Sequence, residues 1–181
     1  MNFKLILVSF IILFSSITFG QGTSSLTRVV IIRHGEKSEN GDNLSCKGLN
    51  RSLQLAGVLK SKFGAFDHVF VPTLKASNST THSRMFQTIT PYLVRENLSV
   101  SSKYDESDIN GVASAIKKQT GTVLVVWEHK NIRKIVRALG IQEVQKWEDS
   151  DFDSILILNY HNGTPTLSSD KEGITPSATC N

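Results

Sequence analysis

VVIIRHGE, at residues 29–36, is the stretch that decides the fold and indicates where the chemistry lies. Its first four residues form a continuous β-branched run, which is typical of a strand that is covered on both faces of a sheet. Arg33 and His34 follow where this strand ends. Gly35 then lets the backbone turn tightly and approach a ligand. Taken alone, these three residues are equally compatible with an ordinary surface turn, because motifs this short recur by chance.

Three more apolar runs predict further strands, at residues 69–71, 123–126 and 155–158. Between the strands, apolar residues recur at the spacing of a helix that buries one face. Four sets are predicted to face the core: Leu49, Leu53, Ala56 and Phe63 after a start signal at Ser45; Met85, Ile89, Tyr92 and Leu93; Ile109, Val112, Ala113 and Ile116; and Ile132, Ile135, Val136 and Leu139 before a stop at Gly140. Strands that alternate with helices predict an α/β fold, a three-layer sandwich whose central sheet is mainly parallel and flanked by helices.

Length and composition predict a single domain. The chain has 181 residues, of which 39% are hydrophobic and 20% charged, as is ordinary for a globular protein. We expect one domain over residues 21–181, with a core at about 28–160 and a polar tail at 161–181 that includes a short edge strand near Thr166. No segment is long enough to form a large cap domain. The net charge of +4 is not clustered into a basic stripe, which argues against nucleic-acid binding.

Residues 1–20 have the pattern of a secretory signal peptide. Lys4 gives a positive start, an apolar run covers residues 5–14, and small and polar residues lead to a predicted cleavage after Gly20. The alternative is a retained membrane anchor, for which the run is short, since a span needs about 20 residues. We therefore expect an exported protein, periplasmic or secreted, without stable membrane insertion after cleavage. Export would allow Cys46 and Cys180 to form a disulfide, although the sequence leaves their pairing open.

A second histidine occupies the matching place on another predicted strand. Trp127, Glu128 and His129 end the run at 123–126, and a helix is predicted to start at Asn131. Ligands of open α/β sheets sit beyond the carboxyl ends of the strands, and a helix N-terminus there offers free N–H groups to an anion. If both residues are still in the strand, Glu128 should point away from His129, because side chains alternate along a strand.

A second arginine lies at the start of the helix that is predicted after the loop following Val71. Arg84 lies in its predicted first turn, where a cation is mildly unfavourable for the helix dipole. An anionic partner explains Arg84 better than helix stability does. His82, two residues earlier, could join the same site or face solvent.

These residue types suit the chemistry of a phosphate monoester. Arg33 and Arg84 would bind phosphate oxygens bidentately and stay charged at any working pH. A neutral His34 could attack phosphorus and hold the phosphoryl group covalently, while His129 would stabilise the charge of the transition state. We expect neither metal nor cofactor, because the cationic side chains supply the positive field and the histidines lack the i, i+4 pairing of zinc helices.

Four segments, in this order, resemble the histidine phosphatase superfamily, which includes phosphoglycerate-mutase-like enzymes and acid phosphatases. They are Arg33-His34-Gly35; Leu44 to Gly48 with Arg51; Ser83-Arg84 with Gln87-Thr88; and Val125 to His129. The resemblance covers about residues 28–158. It implies a metal-independent phosphatase in which His34 is the phosphorylated nucleophile and Arg33, Arg84 and His129 form the phosphate pocket, and the signal-peptide pattern adds the expectation of export. A small phosphorylated substrate or a phosphoprotein is the implied partner.

The resemblance does not identify the general acid, the group that protonates the leaving oxygen. Mutase-like members place a glutamate between the second arginine and the second histidine, where this chain has Asp105 and Glu106. We rank these two first, Glu36 second and Glu128 third. Acid-phosphatase-like members place an aspartate directly after the second histidine, where this chain has Lys130.

Two alternatives stay open, the second of which follows from the uncertain acid. One is a phosphoryl transferase or mutase that uses the same His34, and the other is a phosphate- or phospholigand-binding module with little turnover. Residues 72–80 are predicted to form a loop that acts as a lid or an extra wall of the pocket.

Overall fold

The computed structural model describes residues 25–74 and 82–180. The predicted signal peptide and most of the predicted lid loop lie outside this range. In chain order the elements are β1 (Leu26–Arg33), α1 (Cys46–Phe63), β2 (His68–Phe70), α2 (Ser83–Glu96), α3 (Ile109–Lys117), β3 (Gly121–Trp127), α4 (His129–Ala138), β4 (Ser154–His161) and β5 (Thr164–Lys171). Across these residues, none of the helices combines the length and apolarity that crossing a bilayer requires.

The five strands form one sheet in the order β2-β3-β1-β4-β5. β1 pairs in parallel with β3, and β3 pairs in parallel with β2. β4 runs antiparallel to both of its neighbours, so the sheet is mixed although four strands point the same way. Ile32 near the end of β1 lies opposite Ile155 near the start of β4. The segment that precedes β4 therefore lies at the same edge of the sheet as the carboxyl ends of β1 and β3.

Helices cover both faces of the sheet, which confirms the α/β sandwich predicted from the sequence. Val30 and Ile32 pack with residues of α1 and α2 in one cluster. Val29 and Ile31 pack with residues of α3 and α4 in a second cluster on the opposite face. All four β1 side chains are fully buried, as their uninterrupted apolar run predicts.

α1 begins where the sequence predicts but buries a different face. Ser45 caps it, since its hydroxyl oxygen accepts a hydrogen bond from the amide of Gly48 at 3.2 Å. The predicted inner face is wrong for Leu49 and Leu53, which are 45% and 59% exposed. The side that faces the sheet carries Arg51, Ser52, Leu55, Ala56 and Leu59. The buried side includes an arginine. A prediction from the spacing of apolar residues alone cannot place a charged residue on the buried face.

The C-terminal tail is ordered and returns to the start of α1. β5 pairs with β4 along its whole length, and includes the predicted edge strand near Thr166. Beyond β5, the amide of Asn50 donates hydrogen bonds of 2.9 Å to the carbonyls of Ser177 and Thr179. Cys46 and Cys180 form a disulfide, which settles the pairing that the sequence leaves open.

A buried ion cluster joins the tail to the segment after β1. Arg51 is 4% exposed and donates two hydrogen bonds of 2.9 Å to the carboxylate of Glu36. It donates a third, of 2.7 Å, to Glu172, and Asp153 lies 3.8 Å away. One arginine thus holds three carboxylates and fixes the ends of β1 and β5 to α1.

Candidate active site

His34 lies just beyond β1, at the edge of the sheet where β1 and β3 end together. Its ring is 2% exposed, and Nδ1 lies 2.7 Å from the carbonyl oxygen of Gly35. With Nδ1–H donated to this carbonyl, Nε2 is the ring nitrogen that keeps a free lone pair. The backbone thereby selects the tautomer that a nucleophilic imidazole needs.

The pKa of His34 is lowered to about 3. Burial is the largest cause, because it disfavours the charged imidazolium, and the positive charges of Arg33, Arg84 and His129 lower the pKa further. The hydrogen bond to Gly35 acts in the opposite direction but is outweighed. His34 is therefore neutral at any ordinary pH.

The turn after His34 needs glycine on both sides of a close backbone contact. A Cβ on Gly35 would lie 3.0 Å from the carbonyl oxygen of Gly48, and a Cβ on Gly48 would overlap the backbone of Glu36. The amide of Gly35 also donates a 2.8 Å hydrogen bond to Oγ1 of Thr88 in α2. The N-terminus of α1 and the side of α2 thus hold the turn from two directions.

Arg33 is held under the loop that connects α4 to β4. Its Nη1 donates to the carbonyl oxygens of Asp149 at 2.6 Å and Asp151 at 3.2 Å, and its guanidinium carbon lies 3.8 Å from the ring centroid of Phe152. Phe152 also meets the ring of His34 edge-on, with a centroid distance of 6.2 Å. Nε of Arg33 is buried and finds no hydrogen-bond partner among the described residues.

Arg84 lies in the first turn of α2, as predicted. Its Nη1 donates to the carbonyl oxygen of Asp42 at 3.3 Å, while Nε is buried and has no partner within the part of the chain that the structure describes. Arg84 lines a pocket of about 460 Å³. The other lining residues are Asp42, His82, Glu106, Glu128, Lys130, Asn131 and Lys134.

His129 is the first residue of α4 and is 9% exposed. Its Nε2 lies 2.9 Å from Oδ1 of Asp149. Its Nδ1 is buried and lies 2.7 Å from Oε1 of Glu128, but this contact does not have hydrogen-bond geometry, and no other described residue bonds Nδ1. Asp149 thus fixes Nε2 of His129, while Nδ1 faces Glu128 without a hydrogen bond.

Glu128 does not point away from His129, because neither residue is in the strand, which was the condition for that predicted orientation. β3 ends at Trp127, and Glu128 is the N-cap of α4, where its carboxylate accepts a 2.7 Å hydrogen bond from the amide of Lys130. The side chain therefore turns back towards His129 and His34. One ligand atom from each of these three residues lies within 4.8 Å of the other two.

The structure separates the candidate proton donors. Glu106 lines the pocket beside Arg84. The neighbouring Asp105 accepts hydrogen bonds from the amide and the hydroxyl of Ser107, at 3.1 and 2.7 Å, in a local turn. Glu106 is thus the only one of the two that lines this pocket.

Glu36 is occupied by Arg51. Burial alone would raise the pKa of Glu36, but hydrogen bonds from Arg51 and from the backbone, together with the charges of Arg51 and Lys47, hold it below its ordinary value. A carboxylate that keeps its charge and spends both oxygens on an arginine is a poor proton donor.

His82 joins the site, which the sequence leaves open. It immediately precedes α2, lines the pocket, and has Nε2 at 3.5 Å from Oε2 of Glu106. Its Nδ1 is buried, with no hydrogen bond from any residue that the structure describes. His82 is therefore placed to orient Glu106 or to meet a ligand oxygen.

Asp149 and Phe152 are site residues that the sequence analysis misses. Both belong to the segment before β4, which reaches the site because β4 runs antiparallel and starts at the edge where β1 ends. The signal that could have found them is the acidic and aromatic run of residues 147–153 directly before a strand. It becomes informative only when the direction of that strand is known.

Solved structures with the same fold come from enzymes of phosphate chemistry. The protein histidine phosphatase SixA, solved with tungstate, aligns with a TM-score of 0.62 at 19% identity over 80% of this chain and 97% of that chain. A mycobacterial glucosyl-3-phosphoglycerate phosphatase, solved with inorganic phosphate, aligns with a TM-score of 0.55 at 14% identity over 80% and 95%. A phosphoglycerate mutase from Bacillus anthracis gives 0.54 at 15% identity over 81% and 94%.

The amino-acid sequence alone gives no match to a curated protein. No protein-family model matches the chain, and the curated proteins contain no match to it. The structural alignments nevertheless span nearly the whole length of each of these three neighbours. The chain therefore has the fold of the histidine phosphatase superfamily, the group that its four motifs resemble.

Proposed function

We propose that this protein is a phosphatase that hydrolyses a phosphoester through a phosphohistidine intermediate on His34. One observation carries the proposal. The charges of Arg33, Arg84 and His129 act on the neutral His34, and each of these three residues has a buried nitrogen without a hydrogen-bond partner among the described residues: Nε of Arg33, Nε of Arg84 and Nδ1 of His129. Buried polar groups are normally hydrogen-bonded, so such a set indicates a ligand that supplies oxygen acceptors.

The first chemical step is attack of Nε2 of His34 on phosphorus. A nitrogen–phosphorus bond forms, the bond to the leaving oxygen breaks, and the electron pair of that bond goes to the leaving oxygen. Arg33, Arg84 and His129 bind the equatorial oxygens, whose charge is spread in the transition state. Water then attacks the phosphohistidine, inorganic phosphate leaves, and the electron pair of the nitrogen–phosphorus bond returns to Nε2.

We assign the protonation of the leaving oxygen to Glu106. It lines the pocket on the side of Arg84, and its carboxylate contacts His82. Glu128 is less suited, because it lies close to His34 itself, whereas a donor to the leaving oxygen must stand across phosphorus from the attacking nitrogen. Glu128 is better placed to accept a proton from the water of the second step.

The pocket fits a small phosphorylated substrate or a phosphorylated side chain of a protein. Its volume of about 460 Å³ is within the range of ligand pockets, which is roughly 300–1,000 Å³. Besides the arginine it contains Lys130 and Lys134, which can pair with an anionic substrate, although the carboxylates of Asp42, Glu106 and Glu128 line it as well.

We further propose that the protein acts outside the cytoplasm. The Cys46–Cys180 disulfide supports this, since such bonds persist mainly in oxidising compartments. The signal-peptide pattern of residues 1–20 agrees with it.

Hydrolysis of an activated aryl phosphate tests the proposed function. The mature protein is assayed with a metal chelator from pH 4 to 8, beside His34→Ala and the matched control His161→Ala, which changes an exposed histidine at the far end of β4. We expect activity that resists the chelator, survives in His161→Ala and vanishes in His34→Ala. Retention of most activity in a folded His34→Ala would refute the mechanism. Phosphate binding without turnover at any pH would instead support a binding module.

A further inference from the structure

Two histidines and one glutamate gather at the proposed catalytic centre in the way that transition metals require. His34, Glu128 and His129 each offer a ligand atom, and these atoms all lie within 4.8 Å of one another. Nδ1 of His129 and Oε1 of Glu128 are 2.7 Å apart. In a tetrahedral site with zinc–ligand distances of about 2.0–2.1 Å, neighbouring ligand atoms are about 3.4 Å apart. Side-chain movements that displace the three ligand atoms by about 1 Å would therefore give zinc-binding geometry.

The outer nitrogen of each imidazole is already fixed. Nδ1 of His34 lies 2.7 Å from the carbonyl oxygen of Gly35, and Nε2 of His129 lies 2.9 Å from Oδ1 of Asp149. Histidines that bind metals almost always donate their other N–H to a carbonyl or a carboxylate, which sets the tautomer and turns the lone pair inward. Both inward nitrogens, Nε2 of His34 and Nδ1 of His129, therefore point a lone pair at the same space.

A second observation indicates that this space takes a ligand. Nδ1 of His129 is buried, and no residue of the described chain forms a hydrogen bond with it. A phosphate oxygen would satisfy this nitrogen only when His129 is protonated, whereas a metal ion satisfies the neutral form. The same nitrogen thus has two possible occupants of opposite charge.

The surrounding charges permit a cation. Arg33 and Arg84 oppose it, but Glu128 is a direct ligand and Asp149 stands behind His129. Glu106 adds another negative charge in the adjoining pocket, which Glu128 also lines. Imidazole ligands favour Zn²⁺ and Cu²⁺ over Mg²⁺ and Ca²⁺, which prefer oxygen-only sites.

We propose that Zn²⁺ binds to His34, Glu128 and His129 and blocks the attacking nitrogen of His34. Metal and phosphoryl group then compete for the same nitrogen, so the metal is an inhibitor and not a cofactor. The binding is independent of the phosphatase activity proposed above, whereas the inhibition rests on it.

Calorimetric titration of the metal-free mature protein with Zn²⁺ tests the binding. We expect one Zn²⁺ per chain, with affinity weakened about tenfold or more in His34→Ala and in Glu128→Gln, and unchanged in the control His161→Ala. Asp149→Asn should also weaken binding, because it loosens the outer hydrogen bond of His129. Inorganic phosphate should compete with Zn²⁺. Absence of Zn²⁺ binding by the parent protein would overturn the site. So would Glu128→Gln and His34→Ala variants that are folded by circular dichroism and bind Zn²⁺ as tightly as the parent protein does.

A separate assay tests the inhibition. Hydrolysis of the aryl phosphate is followed while Zn²⁺ is added and then removed with chelator. We expect activity to fall over the concentrations at which Zn²⁺ binds in the calorimeter and to return with chelator. Activity that persists at saturating Zn²⁺, or that requires Zn²⁺, would refute the inhibition. An inactive protein that still binds Zn²⁺ through the three residues would refute the proposed phosphatase and leave the metal site standing.

Discussion

Oδ1 of Asp149 lies 2.9 Å from Nε2 of His129, on the side of the ring that faces away from Glu128. The hydrogen bond from His129 and the charge of its ring lower the pKa of Asp149, which therefore stays ionised. A carboxylate in this position holds the imidazole ring in one orientation. Protonated His129 would present Nδ1–H to a phosphoryl oxygen, so Asp149 is a positioning residue for the proposed chemistry.

Asp149→Asn should lower kcat more than it raises KM. The expected loss in kcat is roughly tenfold, because the charge behind His129 matters most when charge spreads over the phosphoryl oxygens, and salt screening limits an exposed carboxylate. Asp149 is 78% exposed in its side chain, so the free energy of unfolding should hardly change. Steady-state kinetics at low and high salt provide the measurement.

The salt dependence separates this role from a structural one. The ratio of the kcat of the parent protein to that of Asp149→Asn should be smaller at high ionic strength than at low ionic strength. Equal kcat values for the two proteins at low salt would show that Asp149 does not act on His129.

The direction of one strand decided how much of this site the sequence could predict. His34, Arg33 and His129 follow from the rule that ligands lie beyond the carboxyl ends of parallel strands, and Arg84 follows from its unfavourable place in the first turn of a predicted helix. Asp149 does not, because β4 is antiparallel and its preceding loop reaches the same edge from the opposite direction. Apolar runs reveal strands, but a run such as residues 155–158 carries no record of its direction.

Buried polar residues also limited the prediction of which side chains face the core, because tertiary contacts decide their burial. The predicted inner face of α1 placed Leu49 and Leu53 in the core, whereas Arg51 occupies it because Glu36 and Glu172 compensate its charge. The alternation argument for Glu128 needed a strand that extends through His129, whereas β3 ends two residues earlier, at Trp127. Both cases concern pairs that are distant in sequence or lie at an element boundary.

Glu106→Gln should slow hydrolysis in proportion to the basicity of the leaving group. An alkyl phosphate needs a proton on its leaving oxygen, so its kcat should fall by roughly 100-fold, the lower end of the range for general acid catalysis. An activated aryl phosphate needs little protonation and should lose only a few-fold. Comparing the two substrates on the same variant provides the measurement.

Glu128→Gln is the matched control for this experiment, because Glu128 lines the same pocket. Its loss of activity should be similar for the two substrates, since the leaving oxygen departs on the other side of phosphorus. A defect in Glu106→Gln that is equal for alkyl and aryl phosphates would remove Glu106 from the role of proton donor.

Glu172 should make the protein less stable as pH rises from about 4.5 to about 7. Burial, supported by the charges of Asp153 and Glu36, raises the pKa of Glu172 to about 7, although the hydrogen bond and charge of Arg51 oppose this. Between these two pH values the folded chain holds a proton that the unfolded chain has lost, so the free energy of unfolding decreases with rising pH. Urea unfolding at several pH values measures the slope.

Glu172→Gln should remove this slope while keeping an oxygen acceptor for Arg51. The contribution of Glu36 has the opposite sign, because its pKa is lowered, and is lost as pH falls below its ordinary value of 4.5. The two residues are therefore separable by pH window. A slope between pH 4.5 and 7 that is identical in Glu172→Gln and the parent would contradict the assignment.

Removal of the disulfide should destabilise the fold. Cys46 and Cys180 are 134 residues apart, and a link of this kind stabilises a protein by about 2–4 kcal/mol, mainly by constraining the unfolded chain. The double variant Cys46→Ser with Cys180→Ser should lose that amount in urea unfolding and be insensitive to reductant. The parent should fall to the same stability when reduced, and a parent indifferent to reductant would contradict the prediction.

Trapping the covalent intermediate tests the central proposal most directly. The mature protein is mixed with an activated aryl phosphate, quenched within milliseconds under alkaline conditions that preserve phosphohistidine, digested, and examined by mass spectrometry. We predict one added phosphoryl group on the peptide that contains His34, absent from His34→Ala and present in His161→Ala. Turnover without any phosphorylated His34, or with the phosphoryl group on another residue, would contradict the mechanism.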